Sequence, residues 1–195
     1  GDPNYIRSDI RMFNMGGSAL FIFNNKKFSY RAAFLQTDVQ KKSAGSFLGG
    51  YIFNVNRLRA DSSFFPSTSV FETYPNVPLF NNFSAGLKFG YAYNYIFKEH
   101  YFASLAFSPS FLLGLEYASV NNFDRTRLNV SMAFQPRFAI GYNSNLWYYG
   151  FSIVEDIYLL GSDLVKDGVS FRYSYGNVKF FVGRRFPSFD WDKYK

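Results

Sequence analysis

The chain has 195 residues, enough for one domain with a sizeable core, and no stretch rich in Pro, Ser or charge divides it. Aromatic residues reach 23% while charged residues fall to 18%, below the roughly 25% usual in soluble domains, and the absence of Cys excludes disulfides and thiolate metal sites. A net charge of +7 suits an anionic partner without choosing one, and the lack of any apolar run of about 18 residues excludes an ordinary transmembrane helix but not a spanning strand, which needs only about 9 to 11 alternating residues.

In chain order, residues 9 to 23 place Phe13, Met15, Ala19, Phe21 and Phe23 on one face, the period of two expected of a strand. Residues 28 to 36 alternate Phe28, Tyr30, Ala32 and Phe34 against Ser29, Arg31 and Ala33, which predicts a second strand. Residues 46 to 57 read as a third. From Phe83 to Phe97 every odd position but Ala85 is bulky and apolar, opposed by Ser84, Gly86, Lys88, Gly90, Ala92, Asn94 and Ile96. Residues 101 to 117 and 128 to 142 repeat the pattern. Residues 146 to 160 carry Glu155 on the row of Trp147, Tyr149, Phe151 and Ile153, which a bulge near Glu155 would repair. In 169 to 186 the apolar row runs through Val169, Phe171, Tyr173 and Tyr175, then switches at Gly176 and Asn177 to Val178, Phe180 and Val182, predicting a second bulge or a hairpin.

The connections differ in length. "KEH" at 98 to 100 and "NSN" at 143 to 145 are tight, whereas 58 to 80, 120 to 125 and 161 to 168 are longer and rich in turn-forming residues. Short turns on one rim and long loops on the other is the layout of an outer-membrane barrel. Residues 24 to 27 and 38 to 45 break this alternation.

The two faces of the strands decide between a soluble and a membrane barrel. A soluble barrel with the aromatic row inside would need a charged exterior, yet the other row is Gly, Ala and Ser. An eight-stranded barrel has an interior only just wide enough for side chains to fill, so rows of Phe, Tyr and Leu would overfill it. With the bulky face turned to lipid, the small polar face fills the lumen, and Tyr91, Tyr93, Tyr95, Tyr101, Tyr142, Trp147 and Tyr149 gather near one rim as an interfacial girdle. The expected fold is therefore all-β, an antiparallel transmembrane-type barrel of about eight strands or part of a larger one of roughly ten to twelve. Residues 1–8 would form a lead-in, 9–186 the single barrel domain and 187–195 a tail.

The stretch "KKFSYRAAFLQTDVQKKSAGSFLGG" at 26 to 50, with "ADSSFFP" at 60 to 66 and "GYAYNYIFKEHYFASLAFSPSFLLG" at 90 to 114, resembles an uncharacterised family of Bacteroidetes-type outer-membrane barrels known only as a domain of unknown function. The resemblance implies a protein of the Gram-negative cell envelope. It supplies no activity and no catalytic residues.

Neither a nucleophile motif, a phosphate-binding loop, a dinucleotide fingerprint nor a metal-ligand cluster occurs, so neither catalytic residues nor cofactor or metal sites are expected. The lone histidine, His100, reads as an exposed turn residue rather than a general base. Six charges fall on the small face: Arg31, Lys88, Glu116, Arg127, Arg137 and Arg172. They predict a lumenal network in which Glu116 pairs with Arg127 or Arg172 across neighbouring strands. The function expected is a non-enzymatic structural or interaction component of the bacterial outer membrane. Its partners would be the bilayer or lipopolysaccharide, an envelope protein reached through loop 58–80, and no nucleic acid, because the rings form continuous apolar faces instead of lining basic grooves. A narrow pore or small-ligand transporter using the inward Arg and Lys residues is the alternative, and an envelope enzyme of unknown substrate the second.

Overall fold

The computed structural model describes residues 8–64, 76–121, 123–162 and 169–186. The protein is all-β. Seven strands, β1 (Arg11–Ile22), β2 (Ala44–Arg59), β3 (Leu79–Phe97), β4 (Tyr101–Val120), β5 (Phe123–Asn143), β6 (Trp147–Ser162) and β7 (Val169–Arg184), join in simple chain order. All pairs are antiparallel, and the sheet curls into a half-barrel. The pairing lapses beside two prolines, opposite Pro109 between β3 and β4 and opposite Pro136 between β5 and β6, since proline brings no N–H to the ladder.

The curl puts small residues inside. Along β4 the even positions Ser104, Ala106, Ser108, Ser110, Leu112 and Glu116 are buried, while Leu105, Phe107, Phe111, Leu113 and Leu115 are exposed. Across the ladder, Ser104 at 1% exposure lies between Asn94 and Ala139, and Leu105 at 64% lies between Tyr93 and Phe138. At Gly50, on the inner face of β2, a Cβ would stand 2.0 Å from the Ala19 carbonyl, so only glycine permits the approach of β1 there.

Several expectations are corrected. Residues 28 to 36 are not a strand: Tyr30–Phe34 form a single helical turn, α1, with Ser29 as its N-cap, its hydroxyl accepting from the Ala32 N–H at 3.1 Å. Because β1 and β2 pair as far as Ile22 and Leu48, no strand position remains between them, so the described residues form seven strands instead of eight. Neither bulge exists, since the β6–β7 register runs unbroken from Trp147–Arg184 to Ser162–Val169. Only residues 121 and 122 separate β4 from β5, a tighter connection than the residues 120 to 125 suggested.

Candidate functional site

The concave face divides into a filled end and an open end. At the end carrying the short turns 98–100 and 144–146, the β1–β2 connection folds inward and carries α1 with it. Phe28, Ala33 and Phe34 pack there against Leu48, Ala92, Phe102, Ala106 and Ala139, small or inward residues from β2 through β5. The carbonyls that this segment buries find donors on the wall: Asn143 Nδ2 donates to Ala32 O and Asp38 O at 3.0 Å each, and Asn94 Nδ2 to Ser29 O at 3.0 Å and Gln40 Oε1 at 2.8 Å. Arg185, just past β7, donates to Gln36 O, Ser144 O and Asn143 Oδ1 and lies 4.8 Å from the Tyr148 ring centroid. One guanidinium thus ties the plug to two strand ends.

Beyond the plug lies a layer of charge. Arg137 on β5 stands 3.9 Å from Asp156 on β6 and 5.9 Å from the Tyr30 ring centroid. Burial pushes the Tyr30 phenol above its usual pKa, opposed by the neighbouring Arg137. Lys88, only 3% exposed, reaches over β2 at Gly50 to donate to Ser18 Oγ at 3.3 Å on β1. Further along, Glu116 is fully buried and accepts from Asn129 Nδ2, and it faces Arg127 directly across the β4–β5 ladder.

Of the six charges the sequence assigns inward, Lys88, Glu116, Arg127 and Arg137 stand on the concave face. Arg31 does not: it belongs to α1, is largely exposed and pairs at 3.8 Å with Asp38, because its segment is a plug helix and not a wall strand. Arg172 is exposed and shares the outward row of Val178, Phe180 and Val182, because without a bulge the parity of β7 never switches. Tyr173 and Tyr175 accordingly occupy the inward row. Tyr173 stacks on Tyr158 at 4.9 Å, and its hydroxyl donates to Asn54 Oδ1 at 3.1 Å. The register brings together Glu116 and Arg127, as expected, and separates both from Arg172.

Sequence reasoning missed Asp156, Asn94, Asn143 and Arg185. Asp156 was legible as a member of the even row with Ser152 and Tyr158; the two asparagines and Arg185 carried no signal until the plug was known. His100 is half-buried against Tyr142 at 5.5 Å instead of exposed, and no group of three His, Cys, Asp or Glu residues able to hold a metal occurs among the described residues. Residues 65–75 of loop 58–80 lie outside the described residues.

The outer face is continuous and apolar near the plugged end, where Tyr101, Tyr142 and Tyr149 pack ring to ring at 5.2 Å across β4, β5 and β6. Glu155 interrupts it on β6, opposite Gly176. Together, the curled antiparallel sheet, apolar convex face and polar concave face define a β-barrel-like all-β protein. The chain belongs to the family described as a domain of unknown function, DUF4421, whose model matches residues 1–186. No curated protein and no solved structure is similar to it.

Proposed function

We propose that this protein is a non-enzymatic outer-membrane β-barrel of the Gram-negative envelope, of the Bacteroidetes type that its sequence resembles, acting as a structural or interaction component. The inversion of its faces carries this reading. Phe107 is 51% exposed while its β4 neighbour Ser108 is buried, and the same holds along β3 and β5, the arrangement that lipid outside and a narrow polar interior require. The tyrosine belt at the turn end supports a bilayer interface there, and a periplasmic position for the short turns. Arg57 and Arg59 on β2, with Arg11 paired to Arg59 on β1, form an exposed cationic group near the loop end, suited to the phosphates of lipopolysaccharide.

The plug argues for a closed lumen over a pore. Fractionation of the envelope and planar-bilayer recording test both halves of the proposal. Sedimentation with the outer membrane and no steady conductance are expected. Recovery in the soluble fraction would refute the barrel, and an anion-selective conductance abolished by Arg137→Ala would make the protein a pore.

A further inference from the structure

We infer that the turn end of the molecule is a docking rim for anionic glycerophospholipids, whose headgroup phosphates are held by Lys26, Lys27, Lys41, Lys42, Lys98 and Arg184. The inference rests on the bilayer reading above and concerns the rim opposite to the arginines of β1 and β2. In the antiparallel meander four segments meet at this end: the β1–β2 connection at 23–43, the turns 98–100 and 144–146, and the end of β7 with residues 185 and 186. All six cationic side chains are exposed there, and none forms an ion pair or a side-chain hydrogen bond among the described residues. Of the two carboxylates at this end, Asp38 is already paired with Arg31 at 3.8 Å, which leaves Glu99 against six cations. Most of the chain's net charge of +7 is thus gathered on one rim. At the loop end, by contrast, Arg11, Arg57 and Arg59 share their rim with Asp9, Asp61 and Asp124.

Two of the six show at which depth the rim works. Lys98 Nζ lies 5.3 Å from the centroid of the Phe97 ring, and the Arg184 guanidinium lies over both Trp147 and Phe186, 5.6 and 5.5 Å from their ring centroids. These rings are exposed on the outer wall beside the tyrosine belt, since Phe97 is the ladder partner of Tyr101 and Trp147 shares its row with Tyr149. Stacking on an outward ring holds the charged head against the wall, at the level where the rings leave the acyl chains and meet the headgroups. A guanidinium fixed over two rings keeps its N–H fork for bidentate contact with a phosphate and has little conformational freedom left to lose.

The four lysines of the β1–β2 connection bracket the plug. Lys26 and Lys27 directly precede Phe28, and Lys41 and Lys42 directly follow Gln40. Both roots of the plug are tied to the rim: Asn24 Nδ2 donates to Gly45 O at 2.9 Å, and Ser43 Oγ accepts from the Ile96 N–H at 2.8 Å. Headgroups bound to the two lysine pairs therefore hold the segment that closes the lumen at both of its ends. The distribution of charge selects a lipid surface over an acidic protein. A protein partner would be met by a patch turned to water, whereas these cations are spread around the rim, and those on the wall lean on rings of the apolar face. Flexible lysines also suit a fluid layer of phosphates, which presents no fixed geometry.

The test places the full chain in phosphatidylcholine vesicles with a trace of spin-labelled lipid, either phosphatidylglycerol or phosphatidylcholine. The fraction of label whose motion is restricted reports which lipid stays at the protein wall. Phosphatidylglycerol should be favoured on the order of fivefold, the gain from about one cation at a lipid surface. The preference should vanish at about 1 M salt, where the screening length is about 3 Å. Lys26→Gln, Lys27→Gln, Lys41→Gln, Lys42→Gln, Lys98→Gln and Arg184→Gln together should abolish it and leave the restricted fraction of phosphatidylcholine unchanged, which reports an intact wall. Arg57→Gln with Arg59→Gln, at the other rim, should lower it less. Equal restriction of the two lipids by the parent protein, or a loss from the loop-end pair as large as that from the six, would overturn the rim. Capture of soluble polyglutamate without any lipid preference would assign the rim to an acidic protein and overturn it as well. Absence of restricted lipid of either kind would refute the bilayer reading itself, and the rim with it.

Discussion

The two ends of the concave face solve the same problem differently. At the turn end, buried polar groups of the wall meet a segment of the chain itself: Asn94, Asn143 and Arg185 each bond backbone carbonyls of the plug. Toward the loop end, Ser84, Ser110 and Ser131 are buried where no plug segment reaches them, with hydroxyls that find no protein partner, as Ser104 Oγ finds none at the turn end, while Lys88 donates to Ser18 Oγ at 3.3 Å. The first end is packed and specific, the second polar and loosely tied. Stability should therefore concentrate in the plug, although the rows of small residues that line the two ends look alike in sequence.

Substitutions in the plug should have the largest effects. Phe28→Ala removes the most buried ring of the plugged end and should cost on the order of 3 to 5 kcal/mol, read as a fall in thermal unfolding temperature in detergent. The same change at Phe107, on the outer face, should cost far less in detergent, which covers either side chain. Next, Arg185→Ala withdraws a charged donor from three acceptors and should cost about 2 to 3 kcal/mol, with faster amide exchange confined to residues 28–40. An equal rise in exchange along β4 would mean that the plug is not a separate unit.

Asp156→Asn leaves Arg137 without its carboxylate. Breaking a buried pair costs about 3 to 5 kcal/mol, but both side chains retain some exposure at 3.9 Å, so about 1 to 2 kcal/mol is expected here. Lys88→Met, in the loosely tied half, should change stability by less than about 1 kcal/mol in either direction, because the cost of burying the charge and its repulsion by Arg137 offset its attraction to Asp156. A large loss would show that the open half is as specific as the plug.

The smallest effect is that of pH. The Tyr30 phenol titrates above its unfolded value near 10 because folding buries it. The folded state then holds its proton more tightly, so the contribution of Tyr30 to stability is constant below about pH 10 and is lost as pH rises from there through the folded pKa. Tyr30→Phe should flatten that part of the curve. If it leaves the alkaline fall unchanged, the plug ring is not the responsible group.

Long strands were legible in the sequence where both rows were pure. β3, β4 and β5 each present about ten alternations, and their facing follows directly from bulk. The plug was not legible because Phe28, Tyr30, Ala32 and Phe34 alternate over too few residues to separate a strand from one helical turn, in which Tyr30 and Phe34 also share a face. β7 was misread because bulk was equated with outward facing. Tyr173 and Tyr175 are bulky and inward, their rings stacked on Tyr158, with hydroxyls bonded to Asn54 and Tyr158. Arg172 went to the wrong face for the same reason. Glu155 did fall on the outward row as written, and no bulge removes it. The facing of Glu116 and Arg127 was legible as register because both lie on the small row near the joined ends of consecutive strands; the hydrogen bond from Asn129 was not, since it depends on a diagonal neighbour.

Site-directed spin labelling in lipid vesicles tests the facing of the strands most directly. Labels at Leu105, Phe107 and Val130 are compared with labels at Ser104 and Ser131 for collision with lipid-soluble oxygen and with a water-soluble nickel chelate. Oxygen should dominate at the first three positions and decline at the two serines, alternating residue by residue along β4. Nickel access at Leu105 and Phe107, equal to that at an exposed turn residue such as Glu99, would place the apolar face in water and contradict the barrel in its membrane.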